Sequence, residues 1–284
     1  MVAKMNPNPN PLSKYFRQPA IYLRLPSSGK FYPPGTINMP PSGELAIYPM
    51  TAVDEITNRT PDALFNGSAT ANIIGSCVPD IKDPWAVTTV DISALLCGVR
   101  LASYGHDMNI TTTCPSCGHT HEITVDLRLV LDQIKMPDYS EPLVVGDLNF
   151  YFTPLTYRQI NEISKTQFED SKLIQVLNDT ELPEEQRMEK LGEAFRRITT
   201  LTIHSISASI GAVKTQDAMV TDQQQIEELL VNAPKSLFEA VRDRAVLLRE
   251  QTDLKPVQIT CEECQHQYPQ AFTLDMSTFF ETAS

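Results

Sequence analysis

Two stretches of the chain alternate apolar and polar residues and then switch to a helical period. Leu45 to Met50 alternates as a strand, and Pro49-Met50-Thr51 leads into Ala52-Val53-Asp54-Glu55-Ile56. Phe150 to Leu155 alternates again, and Pro154-Leu155-Thr156 leads into a helix from Tyr157 to Ile163. Both read as strand, proline break, threonine N-cap and helix. A stronger amphipathic helix follows each. Ile92, Leu95, Leu96 and Val99 stand at i, i+3, i+4 and i+7, with Gly105 as the stop. Leu191, Phe195, Ile198, Leu201 and Thr202 form the second stripe, and Gly211 marks its end. Both stripes predict helices that face a core. Thr221 with Gln224 makes a capping box ahead of Ile226, Leu229 and Leu230. Asn232-Ala233-Pro234 then restarts a helix whose apolar face is Leu237, Phe238, Val241, Ala245 and Leu248.

Each half closes on a CxxC pair with matching flanks. Thr113-Cys114-Pro115-Ser116-Cys117-Gly118-His119 is followed by Ile123 to Leu127, and Thr260-Cys261-Glu262-Glu263-Cys264-Gln265-His266 by Phe272 to Met276. In both, a strand enters, a tight knuckle presents two thiolates, and an alternating strand leaves. Zn²⁺ takes four tetrahedral ligands, and one knuckle supplies two. The two knuckles together predict one structural zinc per chain on Cys114, Cys117, Cys261 and Cys264. His119 and His266 share one offset after their knuckles, and are expected to donate to the sulfurs from behind. A redox CxxC precedes a helix, whereas these sit between strands. A local site of Cys114, Cys117, His119 and His121 would be cramped. Four thiolates leave no open coordination position, so the site is structural and not hydrolytic. Cys77 and Cys97 lack a CxxC partner, and Cys97 reads as a small buried apolar residue.

Charge and proline divide the chain further. Its 284 residues carry 23 Lys+Arg and 35 Asp+Glu, a net −12. Residues 1–43 hold Lys4, Lys14, Arg17, Arg24 and Lys30 and no acid, so +5 sits there and −17 on the remainder. The same segment has nine of the 21 prolines, including the run Asn6 to Pro11, which cannot be helical. It is expected to be an extended arm with one short strand, Ile21 to Leu25. The arm should cross a neighbouring protein, with Tyr15, Phe16, Arg17, Tyr22, Phe31 and Tyr32 as contacts. The acidic body argues against a sequence-independent grip on nucleic acid. No stretch approaches a membrane span, and no secretory signal is visible.

Catalytic patterns are weak. Ser103, His106 and Asp107 crowd a helix end without a nucleophile elbow. Pro26-Ser27-Ser28-Gly29-Lys30 lacks the first Gly and the Ser/Thr of a phosphate loop.

Several short motifs in order do resemble a known family. Leu25 to Tyr32 (Leu-Pro-Ser-Ser-Gly-Lys-Phe-Tyr), Met50 to Glu55, Pro61-Asp62-Ala63-Leu64 and Ser76-Cys77-Val78-Pro79 resemble the baseplate hub proteins of T-even-type contractile-tailed bacteriophages. The first knuckle, placed after an apolar helix and the Tyr104-Gly105 stop, fits the same pattern. The likeness runs from about residue 20 to 135. It implies a non-enzymatic tail component, located in the virion baseplate and assembled in the host cytoplasm. Implied partners are other baseplate or tail proteins and further copies of the chain.

The expected fold is α+β. An arm over 1–43 precedes a first half over 44–149 and a second over 150–284, the latter with a helical insertion. The halves are related to each other and are clasped by one four-cysteine zinc ribbon. The leading expectation is a hub or hub-proximal structural subunit. An assembly factor absent from the mature virion is the alternative, and a cytosolic zinc-ribbon nucleic-acid adaptor is the alternative of another class.

Overall fold

The computed structural model describes residues 10–58, 67–179, 184–271 and 279–280. The Pro61 to Leu64 motif, the start of the proline run and the strand expected over Phe272 to Met276 lie outside those residues. The fold is α+β, with small antiparallel sheets among longer helices.

The first body starts with β1 (Ile21–Leu23), which pairs antiparallel with β2 (Leu45–Ile47) in the register Ile21 to Ile47. The helices α1 (Ala52–Asn58), α2 (Ser68–Cys77) and α3 (Thr89–Tyr104) follow, and then the hairpin of β3 (Asp107–Thr113) and β4 (Thr120–Asp126) and the short α4 (Leu127–Gln133). Thr51 caps α1 as its sequence predicts. Its hydroxyl accepts from the Asp54 N–H at 3.2 Å, and the Asp54 carboxylate accepts from the Thr51 N–H at 2.8 Å. Gly105 stops α3 at a φ of 85°.

Helix α3 is buried on nearly every side. Apart from Ile92 and Ser93, every residue from Val90 to Arg100 is buried. The four-residue stripe predicted for it understates this, because cover arrives from two segments distant in sequence. One is the arm, whose Leu23 and Leu25 enter this core. The other is Phe279 with Phe280, near the C-terminus. Arg100 donates to the Phe279 carbonyl and lies 5.3 Å from that ring.

The arm therefore does not run free over 1–43. From Arg17 onward it folds onto its own body. The Arg17 guanidinium donates to the Pro49 carbonyl at 2.7 Å and the Ser76 carbonyl at 2.8 Å, and pairs with Asp54 at 3.3 Å. Ser27 is buried, and the Leu25 to Tyr32 motif makes a tight turn with Ser28, Gly29 and Phe31 at positive φ. Proline lowers the entropy lost on ordering, and here the docking surface is the chain's own.

The second body is a four-stranded sheet covered by helices. β5 (Leu143–Val145), β6 (Leu148–Phe152), β7 (Ile210–Lys214) and β8 (Met219–Val220) lie in that order. Between β6 and β7 the chain makes α5 (Tyr157–Asp179) and α6 (Glu184–Ala208). After β8 come α7 (Gln223–Asn232) and α8 (Lys235–Glu250). Thr156 caps α5 through a reciprocal pair with Gln159, as its sequence predicts. Three expectations are corrected here. The cap of α7 is Asp222, which accepts from the Gln225 N–H, and not Thr221 with Gln224. Gly211 lies in β7, beside the irregularity between Tyr151 and Phe152, where an added Cβ would meet Thr153 Cγ2 at 2.6 Å. It serves close strand approach and does not end the helix. Finally, the α6 stripe does not face a core along its length, since Phe195 is 59% exposed.

The two bodies join across Thr88 and Thr156. The Thr89 N–H donates to Leu155 and the Tyr157 N–H to Val87. From α8 the chain leaves the second body through β9 (Val257–Thr260) and β10 (Gln267–Gln270), an antiparallel hairpin that lies against the first.

Candidate metal centre

Each knuckle is a turn between paired strands, and the two turns have the same backbone. The Cys114 N–H donates to His119 C=O and the Cys261 N–H to His266 C=O, both at 2.9 Å. Gly118 donates to Cys114 C=O and Gln265 to Cys261 C=O, again both at 2.9 Å. Gly118 and Gln265 hold the left-handed conformation, at φ 72° and 59°. Glutamine in that conformation costs energy that glycine does not. Gln265→Gly is thus expected to raise stability by about 1 kcal/mol, read as a shift of the denaturation midpoint at fixed metal loading.

The turns bring four sulfurs together. Cys114 Sγ lies 3.7 Å from Cys264 Sγ, and Cys117 Sγ lies 3.7 Å from Cys261 Sγ. All four lie within 4.8 Å of one another. Four thiolates around one ion at about 2.3 Å would stand about 3.8 Å apart. The sulfur set therefore has the size of a tetrahedral metal site. Cys114 and Cys261 are buried, while Cys117 and Cys264 are exposed, so each knuckle gives one inner and one outer sulfur. Behind the sulfurs, Ile259 and Tyr268 pack with the two buried cysteines. Thr112 of β3 donates to Gln270 Oε1 at 2.6 Å and meets the Tyr268 hydroxyl at 3.2 Å, which fixes one hairpin on the other.

The electrostatics treat the two sulfurs of the first knuckle differently. Burial raises the Cys114 thiol, but the N–H groups of Cys117 and Ser116 aimed at its sulfur bring it down to about 7. The His119 N–H favours the Cys117 thiolate, yet sharing with the sulfurs of Cys264, Cys114 and Cys261 pushes Cys117 up to about 12. A divalent metal bound by such a cluster would displace the thiol protons. His119 meets the cluster through its backbone: its N–H faces Cys117 and its carbonyl accepts from Cys114. Its ring stacks on buried His121 at 5.5 Å, and the His266 ring stacks on Tyr268 at 6.2 Å.

The expected arm contacts separate into two groups. Arg17 and Tyr32 turn inward, the latter donating to Asp91 at 2.8 Å. Tyr15, Phe16 and Tyr22 are 74%, 58% and 65% exposed, and Phe31 packs edge-on against Tyr139 at 5.5 Å. Sequence reasoning missed Asp91, a buried carboxylate in the first turn of α3 that accepts from Ser27, Tyr32 and Thr88. An acid in the first turn of a helix whose interior is mostly apolar was the available signal. Ser103 is held by backbone, accepting from the Met50 N–H and donating to Val99, so it forms no triad with His106 and Asp107. Cys77 and Cys97 are buried, and burial pushes their thiols up to about 11 and about 12. Among the described residues no helix is long and apolar enough to cross a membrane.

Four cysteines from chain segments 144 residues apart thus lie within metal-binding distance of one another, an arrangement compatible with a metal site. The family model for the T4 bacteriophage base plate protein matches residues 25–281, so the chain belongs to that family. No curated protein and no solved structure matches it.

Proposed function

We propose that the protein is a non-catalytic structural subunit of a contractile-tail baseplate, at or near the hub, held in shape by one Zn²⁺. The observation that carries this reading is the family match across most of the chain. The sulfur cluster supports zinc: an all-thiolate tetrahedron is the donor set Zn²⁺ takes in structural sites. Cys114, Cys117, Cys261 and Cys264 would hold the ion, which supplies cross-linking and no reaction chemistry. The order strand, helices and knuckle hairpin recurs in both parts of the chain, which supports an origin by duplication.

The exposed part of the arm is the contact proposed for other tail proteins. Tyr15 and Phe16 stand clear of the body just before Arg17 anchors the chain. Aromatic side chains presented on a fixed base are typical interface anchors. Replacing both with alanine is expected to leave a folded, metal-loaded protein that enters tail assemblies at least about tenfold less well. Pull-down of tail intermediates from infected cells measures this, and normal incorporation would remove the arm from the interface. Mass spectrometry of purified particles tests the wider reading. A structural subunit is present at a fixed ratio to other baseplate proteins. A protein required for infectivity but missing from the particle would instead be an assembly factor.

A further inference from the structure

A cavity of about 90 Å³ lies at the joint between the two bodies. Thr89 and Leu155, the pair whose backbone hydrogen bond joins the bodies, both line it. Most of the wall is apolar and includes the buried Phe152, Pro154, Ile206 and Leu248. Polar groups on the same wall lack partners within the protein. Among the described residues the Arg249 guanidinium forms no ion pair, and the hydroxyls of Tyr139 and Ser205 form no hydrogen bond. Ser209, by contrast, donates its hydroxyl to the Ile206 carbonyl at 2.7 Å. Tyr139 is held in place, because Phe31 packs edge-on against its ring and Arg244 of α8 donates to the Asp138 carbonyl at 3.3 Å. Arg249 is exposed and so stands at the open side. No Asp or Glu is among the described residues that line the cavity.

Size and chemistry together select the occupant. An apolar cavity of about 150 Å³ admits benzene, with its six carbons, so about 90 Å³ admits roughly four. That is one branched aliphatic side chain, such as the isobutyl group of leucine. An unpaired guanidinium with no acid beside it calls for an anion, and the planar fork of arginine matches a carboxylate. Hydroxyls both donate and accept, so Tyr139 and Ser205 suit an amide adjoining that carboxylate. A simple aliphatic acid offers these hydroxyls nothing beyond its two oxygens. Aliphatic side chain, carboxylate and amide occur together at the C-terminal residue of a polypeptide.

We propose that this cavity binds the C-terminal aliphatic residue of a partner polypeptide. The side chain enters the apolar part, the carboxylate meets Arg249, and the adjoining amide meets Tyr139 and Ser205. Joints between domains are common places for such sites. The proposal is independent of the metal, of the exposed aromatics of the arm and of the baseplate role.

NMR titration of the full chain with N-acetyl-leucine, which reproduces a C-terminal leucine, tests it. Saturable shifts are expected with Kd on the order of 1 mM, since a single residue buries little surface. N-acetyl-leucinamide keeps the side chain and loses the charge, whereas N-acetylglycine keeps the charge and loses the side chain. Each should bind at least about tenfold more weakly. Isovalerate keeps the branched chain and carboxylate without the amide, and should also bind more weakly. If it binds as well as N-acetyl-leucine, the site takes a free short-chain acid and the polypeptide reading is overturned. Arg249→Gln, at an exposed position, should weaken N-acetyl-leucine about tenfold and leave N-acetyl-leucinamide unchanged. Ala245→Leu fills the cavity and should abolish saturable binding. Circular dichroism checks folding of both variants, and if Ala245→Leu fails to fold, Arg249→Gln and the probe series decide. No saturable shift up to roughly 20 mM, or an affinity indifferent to Arg249→Gln, overturns the proposal.

Discussion

Replacing Cys261 by serine will release the metal and loosen both ends of the first body together. Cys261 is fully buried and belongs to the hairpin that returns to the first knuckle. Three thiolates cannot close a tetrahedron, and a buried hydroxyl replaces a ligand that must be anionic. An ion held by these sulfurs would join Cys117 to Cys261 across 144 residues, so losing it would free a long segment in the unfolded chain. Zinc binding contributes ~10–16 kcal/mol in finger peptides that have no other core. Here the apolar cores persist without it, so a loss of about 2–5 kcal/mol is expected, comparable to removal of a native cross-link. Purified wild type should carry one zinc per chain by elemental analysis, and the variant well under half of that. Treating the wild type with a chelator should reproduce the variant's unfolding midpoint. A variant that keeps its zinc, or loses it with an unchanged midpoint, would show that the cluster does not fasten the fold.

The sequence made this centre legible because metal ligation is local chemistry with fixed spacing. Two C-x2-C turns between strands leave few alternatives, and the flanking similarity pairs them. Helices α1 and α5 were legible for a similar reason, since Thr51 and Thr156 announce their own caps. What the sequence did not reveal depends on segments meeting at long range. The arm reads as an extended segment that crosses a neighbouring protein, yet Leu23, Leu25 and Arg17 each find partners far along their own chain. Nothing local marks Phe279 and Phe280 as the cover of α3. The α6 stripe was read as core because periodicity reports an apolar face and not what lies on it. Phe195 shows the difference. Its period is that of a buried residue, and in the single chain it is exposed.

The other large effect expected is at Asp91, where the arm is fastened to α3. Its carboxylate is fully buried and accepts from the Ser27 N–H at 2.9 Å, the Tyr32 hydroxyl at 2.8 Å and the Thr88 hydroxyl at 3.1 Å, as well as from the Ser27 hydroxyl. Asp91→Ala removes the acceptor shared by these donors. The hydroxyls can turn elsewhere in part, but the Ser27 N–H cannot. Each buried donor left without a partner costs about 1–3 kcal/mol, so a total of about 3–5 kcal/mol is expected. Asp91→Asn keeps one acceptor oxygen and should cost less. The pH dependence separates charge from hydrogen bonding. Burial raises the pKa of Asp91 above its ordinary value, although the bonds from Ser27, Tyr32 and Thr88 oppose the shift. The folded protein then holds this proton at a pH where the unfolded chain has lost it. By linkage, stability falls as pH rises from the unfolded pKa through the folded one. Wild type should therefore gain on Asp91→Asn as pH falls through that window, and the gap should narrow above it. Metal release in acid affects both proteins alike and cancels in the difference. Denaturant unfolding of the pair from about pH 4 to 8 measures it. A gap that instead widens with rising pH would mean that the ionised carboxylate is the favoured form, and that its hydrogen bonds outweigh the cost of burying the charge.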